Sequence, residues 1–247
     1  MNTNTLKSLV KLNDAANKGD LNAQCAIADF YLSRETEEGN IAAIPRLRKA
    51  AKQNDSWAQY QLGLAYQEGL GVSKNIAKAI HFYKLSALQG FDSAQLNLGI
   101  ILANLRGKKR NLKEAVRLYH LAAKQNNKNA CYNLGFYYEI GHGVKQSNQK
   151  SFTWYLKAAQ LGDIESQRLV GYFYHEGIGV RQDFKKSVYW YKKAAKSGDV
   201  YAQYNLGLHY LDGEGVKRSK RTAINWLKKA FSQGYNKALK ILSNINN

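Results

Sequence analysis

The stretch Ala58-Gln59-Tyr60-Gln61-Leu62-Gly63-Leu64-Ala65-Tyr66-Gln67-Glu68-Gly69-Leu70-Gly71-Val72, followed by Ala79, Tyr83, Ala87 and Gly90, decides the fold because the chain writes it again every 36 residues. The same registers return as Ala94, Leu98 and Gly99, as Ala130, Leu134, Gly135 and Tyr138, as Gly171 and Tyr174, and as Ala202, Leu206, Gly207 and Tyr210. Self-similarity at such a period marks stacked supersecondary units in place of one closed core. Over 247 residues it predicts about seven repeats. No Pro/Gly/Ser-rich linker breaks the register, so one continuous domain over 1–247 is expected.

Each unit reads as a helix pair. Ala58, Leu62 and Tyr66 recur every four residues and form one stripe of a first helix, with Gly63 beside them. A mid-helix glycine costs about 1 kcal/mol relative to alanine, which points to close approach by a neighbouring helix. Gly69 ends that helix in a left-handed cap, and Val72 packs back. The second helix carries Ala79, Ile80, Phe82, Tyr83, Ser86 and Ala87, matched by Ser187, Val188, Trp190, Tyr191, Ala194 and Ala195, so large aromatics face small alanines. Gly90, Gly162, Gly198 and Gly234 stop it. A single proline, Pro45, and the lack of alternating β-branched runs make the chain all-helical. Leu6 to Asn17 has the second-helix pattern and Tyr235 to Ile245 the first-helix pattern, so 6–19 and 235–247 are expected as capping helices around repeats in 20–234.

These linked positions resemble the Sel-one-like repeat (SLR), a relative of the tetratricopeptide repeat. The resemblance is cleanest at Ser187 to Ala195 and at Gly207 to Val216 and covers nearly the whole chain. Two units depart from it. In the third, Leu102 replaces the tyrosine, and Leu105, Gly107 and Lys108 replace Gly-x-Gly-Val. In the first, Arg34 to Asn40 fill the turn, and Pro45 stands near the start of the following helix. The resemblance implies a right-handed α-solenoid whose first helices line a concave face and which serves as an adaptor in protein complexes. It also implies, for some bacterial members, neutralisation of a secreted toxin.

The helical wheel locates the first-helix surface independently. With Ala58 at zero, positions 57, 60, 64, 67 and 68 lie opposite the packing stripe. They supply Trp57, Tyr60, Leu64 and Glu68, then Ser93, Leu96 and Ile100, then Asn129, Tyr132, Phe136 and Glu139. Further along come Glu165, Arg168, Tyr172, His175 and Glu176, then Tyr201, Tyr204, Leu208, Leu211 and Asp212. This face is aromatic and mildly acidic, and aromatics dominate interface hot spots. The rival reading makes these tyrosines packing groups between adjacent repeats.

The chain carries a formal charge of +19, and the excess lies elsewhere. Residues 215–247 hold eight Lys/Arg and no Asp/Glu, including Lys217, Arg218, Lys220 and Arg221, and a second run is Arg106, Lys108, Lys109 and Arg110. These form a basic rim, a solvated face that also attracts acidic protein, nucleic acid or anionic surfaces.

No catalytic constellation, cofactor or metal site is expected. The Gly-x-Gly-Val turns end helices, whereas a dinucleotide loop follows a strand and opens one. His81, His120, His142, His175 and His209 are scattered without ligand spacing, and His175-Glu176 lacks the second histidine of a zinc protease motif. Cys25 and Cys131 are expected as free, inert thiols. Without a leader pattern or a membrane-length apolar run, the chain reads as cytoplasmic. The function expected is a non-enzymatic protein-binding adaptor with an acidic protein as partner. The alternatives are an immunity protein that occludes a toxin and, less favoured, a binder of nucleic acid or anionic surfaces through the basic C-terminal third.

Overall fold

The structure, a computed structural model, describes residues 3–107 and 110–246; the side chains of residues 3–9 and 246 fall outside that description, as do Lys108 and Lys109 of the basic rim. Among the described residues there are fourteen α-helices and no strand. They fall into two compact units, Met1–Gln125 and Asn126–Asn247. The first contains α1 (Thr3–Asn17), α2 (Leu21–Leu32), α3 (Glu37–Lys52), α4 (Ser56–Glu68), α5 (Ile76–Leu88), α6 (Asp92–Asn104) and α7 (Leu112–Lys124). The second contains α8 (Lys128–Ile140), α9 (Asn148–Gln160), α10 (Ile164–Glu176), α11 (Phe184–Lys196), α12 (Val200–Asp212), α13 (Lys220–Ser232) and α14 (Lys237–Asn246). Within each unit each helix packs chiefly on the helices next to it in sequence, the arrangement of stacked helical hairpins. No described helix is long and apolar enough to cross a membrane.

Helix ends follow the local chemistry of the sequence. Asp55, Asp163 and Asp199 cap α4, α10 and α12 by accepting the amide of the third following residue at 2.6–2.7 Å, and Asn75, Ser147, Asp183 and Ser219 cap second helices in the same way at 3.0–3.3 Å. Gly69, Gly141, Gly177 and Gly213 end first helices in the left-handed region, as their place in the turn predicts. Between second and first helices the left-handed residue is Gly90, Gly162, Gly198 or Gly234, with Asn54 and Asn126 in the same register. Asparagine is the residue that best tolerates that conformation after glycine. The divergent third unit ends α6 at Leu105 in extended backbone instead. Pro45 corrects its sequence reading: α3 begins at Glu37 and runs sixteen residues, so the proline lies mid-helix, where it removes one backbone hydrogen bond.

The mid-helix glycines are explained by contact. A Cβ on Gly63 would lie 2.5 Å from the Tyr83 ring, one on Gly135 2.5 Å from Tyr155, and one on Gly171 2.8 Å from Tyr191. Each glycine is the seat of the second-helix tyrosine of its own pair. Tyr83, Tyr119, Tyr155 and Tyr191 are accordingly among the largest fully buried side chains, or close to it. The first and last units replace the tyrosine with Leu47 and Leu227.

A glutamine system ties repeat to repeat. Gln24, Gln59, Gln95, Gln167 and Gln203 are buried, and each donates to the carbonyl eight residues back on the preceding second helix at 3.1–3.3 Å. The amide oxygen of four of them then accepts from the glutamine at the C-cap of the following second helix: Gln53 to Gln24, Gln89 to Gln59, Gln125 to Gln95 and Gln233 to Gln203, at 2.8–3.2 Å. Two repeats differ. Cys131 replaces the buried glutamine where Leu161 replaces its donor, so neither group is left wanting. Gln167 remains, but its donor position holds Ser197, and the Gln167 Oε1 is buried with no hydrogen-bond partner.

Candidate functional site

The first-helix surface is best developed in Asn126–Asn247, on α8, α10 and α12. There the structure divides the expected set into two kinds. Phe136, Tyr172 and Tyr201 are 42%, 42% and 51% exposed. Tyr132 and Tyr204 are half-buried: Tyr132 leans on Tyr155 with ring centroids 5.6 Å apart, and Tyr204 meets Tyr235 edge-on at 5.0 Å. Tyr60 does the same in the first unit, against Tyr83 at 5.9 Å and Phe91 at 5.1 Å. The difference is one of register. Residues 60, 132 and 204 point into the joint with the tyrosine of the second helix or the first residues of the next repeat, whereas 136 and 172 stand one turn further on, clear of it. Trp57 and Leu64 are half-buried, and Leu96, also expected on this surface, is buried.

Charged residues of this face are partly engaged. Arg168 contacts Glu165 at 3.1 Å and Asp199 at 3.4 Å, and its guanidinium lies over the Tyr201 ring at 5.4 Å; the other side of Tyr201 meets Tyr235 edge-on at 5.3 Å, so this ring lies at the rim of the joint that Tyr204 fills. Glu139 accepts from the Tyr155 hydroxyl at 2.8 Å. Burial, reinforced by Glu139, raises the Tyr155 hydroxyl far above the ordinary tyrosine range, and burial followed by Glu165 pushes Tyr132 up to about 12. Both are neutral donors at physiological pH. Glu68, Glu176 and Asp212 are exposed.

A cavity of about 430 Å³ opens between α10 and α12 of the same face, lined by Tyr172, His175, Glu176, Tyr191, Asn205, Leu208, His209, Asp212 and Glu214. Sequence reasoning treats His175 and His209 as scattered. Stacking sets their rings perpendicular at 5.1 Å between centroids. His209 is only 3% exposed; its Nδ1 lies 2.9 Å from the Glu214 carbonyl and its Nε2 3.3 Å from Ser187 Oγ. Burial lowers its pKa, so the ring is neutral. The signal was present as a histidine at a register that elsewhere holds Phe173, Ile101 and Ala65.

The basic rim has a structural share. Arg218 Nε donates to the Leu211 carbonyl at 2.8 Å and Arg110 Nε to the Ala103 carbonyl at 3.0 Å; Gln146 and Gln182 in the same register reach Glu139 and His175 carbonyls. These side chains close the C-termini of first helices, where carbonyls lack partners. Arg106, Lys217, Lys220 and Arg221 are exposed. A second cleft, about 560 Å³, lies in the first unit between α5 and α7, where Leu118 occupies the register of Trp154, Trp190 and Trp226. Both cysteines are free thiols, and burial followed by Asp55 pushes Cys25 up to about 12, which makes it a poor nucleophile.

Repeated helical hairpins and a mid-helix glycine under each second-helix tyrosine define an α-solenoid repeat protein. The chain belongs to the Sel1 repeat family, whose model matches residues 58–91, 92–127, 128–163, 164–199 and 200–235. Its structure is similar to that of a protective antigen from uropathogenic Escherichia coli that displays an SLR fold, at 34% identity and a TM-score of 0.88, covering 93% of this chain and 50% of that one. It is similar to a Sel1 repeat protein from Oxalobacter formigenes at 32% identity and a TM-score of 0.74, covering 89% and 88%. Likeness to an immunity protein from Pseudomonas aeruginosa, at 16% identity and a TM-score of 0.50 over 87% and 82%, is one of fold alone. Among curated proteins, DAP3-binding cell death enhancer 1 from Rattus norvegicus is 32% identical over 79 residues, which are 32% of this chain and 15% of that protein's length. The chain thus spans half of the E. coli antigen and a small part of the rat protein.

Proposed function

We propose that the protein is a non-enzymatic scaffold that holds a protein partner on the first-helix face of Asn126–Asn247. The observation that carries this reading is the exposure of Phe136, Tyr172 and Tyr201 on successive first helices, with the Arg168 guanidinium over Tyr201. Three large, half-exposed rings on successive first helices offer a partner apolar area, and rigid aromatics lose little entropy on binding. Glu176 and Asp212 beside them suit an apolar segment carrying basic residues, while the basic turns speed encounter with a partner of net negative charge.

A photo-crosslinking residue placed at Tyr172 tests this in the native cell, with the same residue at Tyr189, a second-helix tyrosine of similar exposure, as the control. A discrete protein adduct at 172 and none at 189 is the expected result. Adducts at 189 alone, or with nucleic acid, would move the interface to the second helices or to the basic rim. Toxin neutralisation is one form this scaffold role would take, and the mass of the adduct would identify such a partner.

A further inference from the structure

We propose that His175, His209 and Glu214 form a binding site for a first-row divalent transition metal, with zinc the best match. One ligand atom from each of the three lies within 4.8 Å of the other two. In a tetrahedral site with ligand bonds of about 2.1 Å the ligands stand about 3.4 Å apart, so side-chain closure of about an ångström suffices. Stacking alone makes the group: His175 stands in the last turn of α10, His209 lies in α12 and Glu214 is in the turn that follows.

The two imidazoles are prepared in different ways. His209 Nδ1–H points at the Glu214 carbonyl at 2.9 Å, which leaves Nε2 with its lone pair; that lone pair accepts a long hydrogen bond from the buried Ser187 hydroxyl at 3.3 Å, which a metal on Nε2 would have to displace. A backbone carbonyl on the outer nitrogen is how a ligating histidine is held and made more basic. His175 Nδ1 is buried without a hydrogen-bond partner, while its Nε2 faces Glu176 Oε1 at 3.6 Å. A metal on Nδ1 would satisfy that orphan and turn Nε2–H toward the Glu176 carboxylate. The cavity leaves room for a fourth ligand, water or a partner side chain.

Two imidazoles and a carboxylate discriminate among metals. Calcium and magnesium demand six or more oxygens, and copper(I) prefers sulfur. Zinc and cobalt(II) fit.

Titrating the purified full chain with zinc against a chromophoric chelator, and with cobalt(II) by visible absorption, tests the site. The expected result is one equivalent of zinc and an intense tetrahedral cobalt band, with affinity falling at least tenfold in His175→Ala and in Glu214→Gln. Both residues are partly exposed, so these variants should fold, which circular dichroism checks; His81→Ala should bind as the parent does. Absence of stoichiometric binding, or binding indifferent to both substitutions, overturns the proposal. Because the readout is the metal itself, it stands or falls apart from the scaffold reading.

Discussion

Replacing Ser197 with glutamine should stabilise the protein. Gln167 Oε1 is buried and unpartnered, whereas its equivalents in Gln24, Gln59, Gln95 and Gln203 each accept from a C-cap glutamine at 2.8–3.2 Å. Ser197 is exposed at the C-cap of α11, so a longer side chain meets no packed neighbour and can follow the path taken by Gln233. A net hydrogen bond contributes about 0.5–1.5 kcal/mol, and satisfying a buried orphan acceptor recovers about 1–3 kcal/mol of desolvation. Ordering a glutamine costs up to about 1.5–2 kcal/mol. The balance is a gain of about 1 kcal/mol, or a rise of about 2–4 °C in melting temperature for a chain of this size. Denaturant unfolding of the parent, Ser197→Gln, Gln167→Leu and the double variant closes a mutant cycle. The gain should vanish when Gln167 is absent, and Gln233→Ser, which orphans Gln203, should cost about 1–2 kcal/mol. An equal gain with and without Gln167 would refute the reasoning, since the effect would then belong to the helix end alone.

Gly135→Ala should destabilise by about 1–3 kcal/mol, because its Cβ would stand 2.5 Å from the Tyr155 ring; Gly207→Ala should cost less, since the flexible Leu227 can give way. Thermal melts compare the two. Phe136→Ala and Tyr172→Ala should leave melting near the parent value while weakening partner binding about thirtyfold, whereas Tyr132→Ala, which leans on Tyr155, should lower stability as well; calorimetry and binding by the crosslinked partner separate these outcomes. Burial depresses the His209 pKa, so the unfolded chain binds a proton that the folded chain refuses once pH falls below about 6.5. Stability should therefore be full above that pH and decline toward the folded pKa, and melts in chelator between pH 7.5 and 5.5 should show a shallower decline in His209→Phe.

Much of the fold was written locally. The period, the helix pairs, the left-handed glycine caps and the close contact behind Gly63 and Gly135 all follow from residues within one repeat, because a helix pair takes its geometry from spacing, caps and side-chain size. Pro45 was misplaced because three added residues in α3 shift the start of the helix without disturbing its apolar stripe.

The wheel also separated packed from outward positions on first helices, but it could not say which outward residues meet the next repeat. That depends on how far one hairpin slides past its neighbour, a quantity no single repeat contains. Stacking therefore decided that Tyr60, Tyr132 and Tyr204 fill joints, that Tyr201 lies half-exposed at the rim of one, and that Phe136 and Tyr172 stand clear of them. It decided that glutamines about 30 residues apart share one hydrogen bond. It also brought His175 onto His209, 34 residues away, since ligand spacing along a solenoid is set by contact between repeats and leaves no motif in the linear sequence.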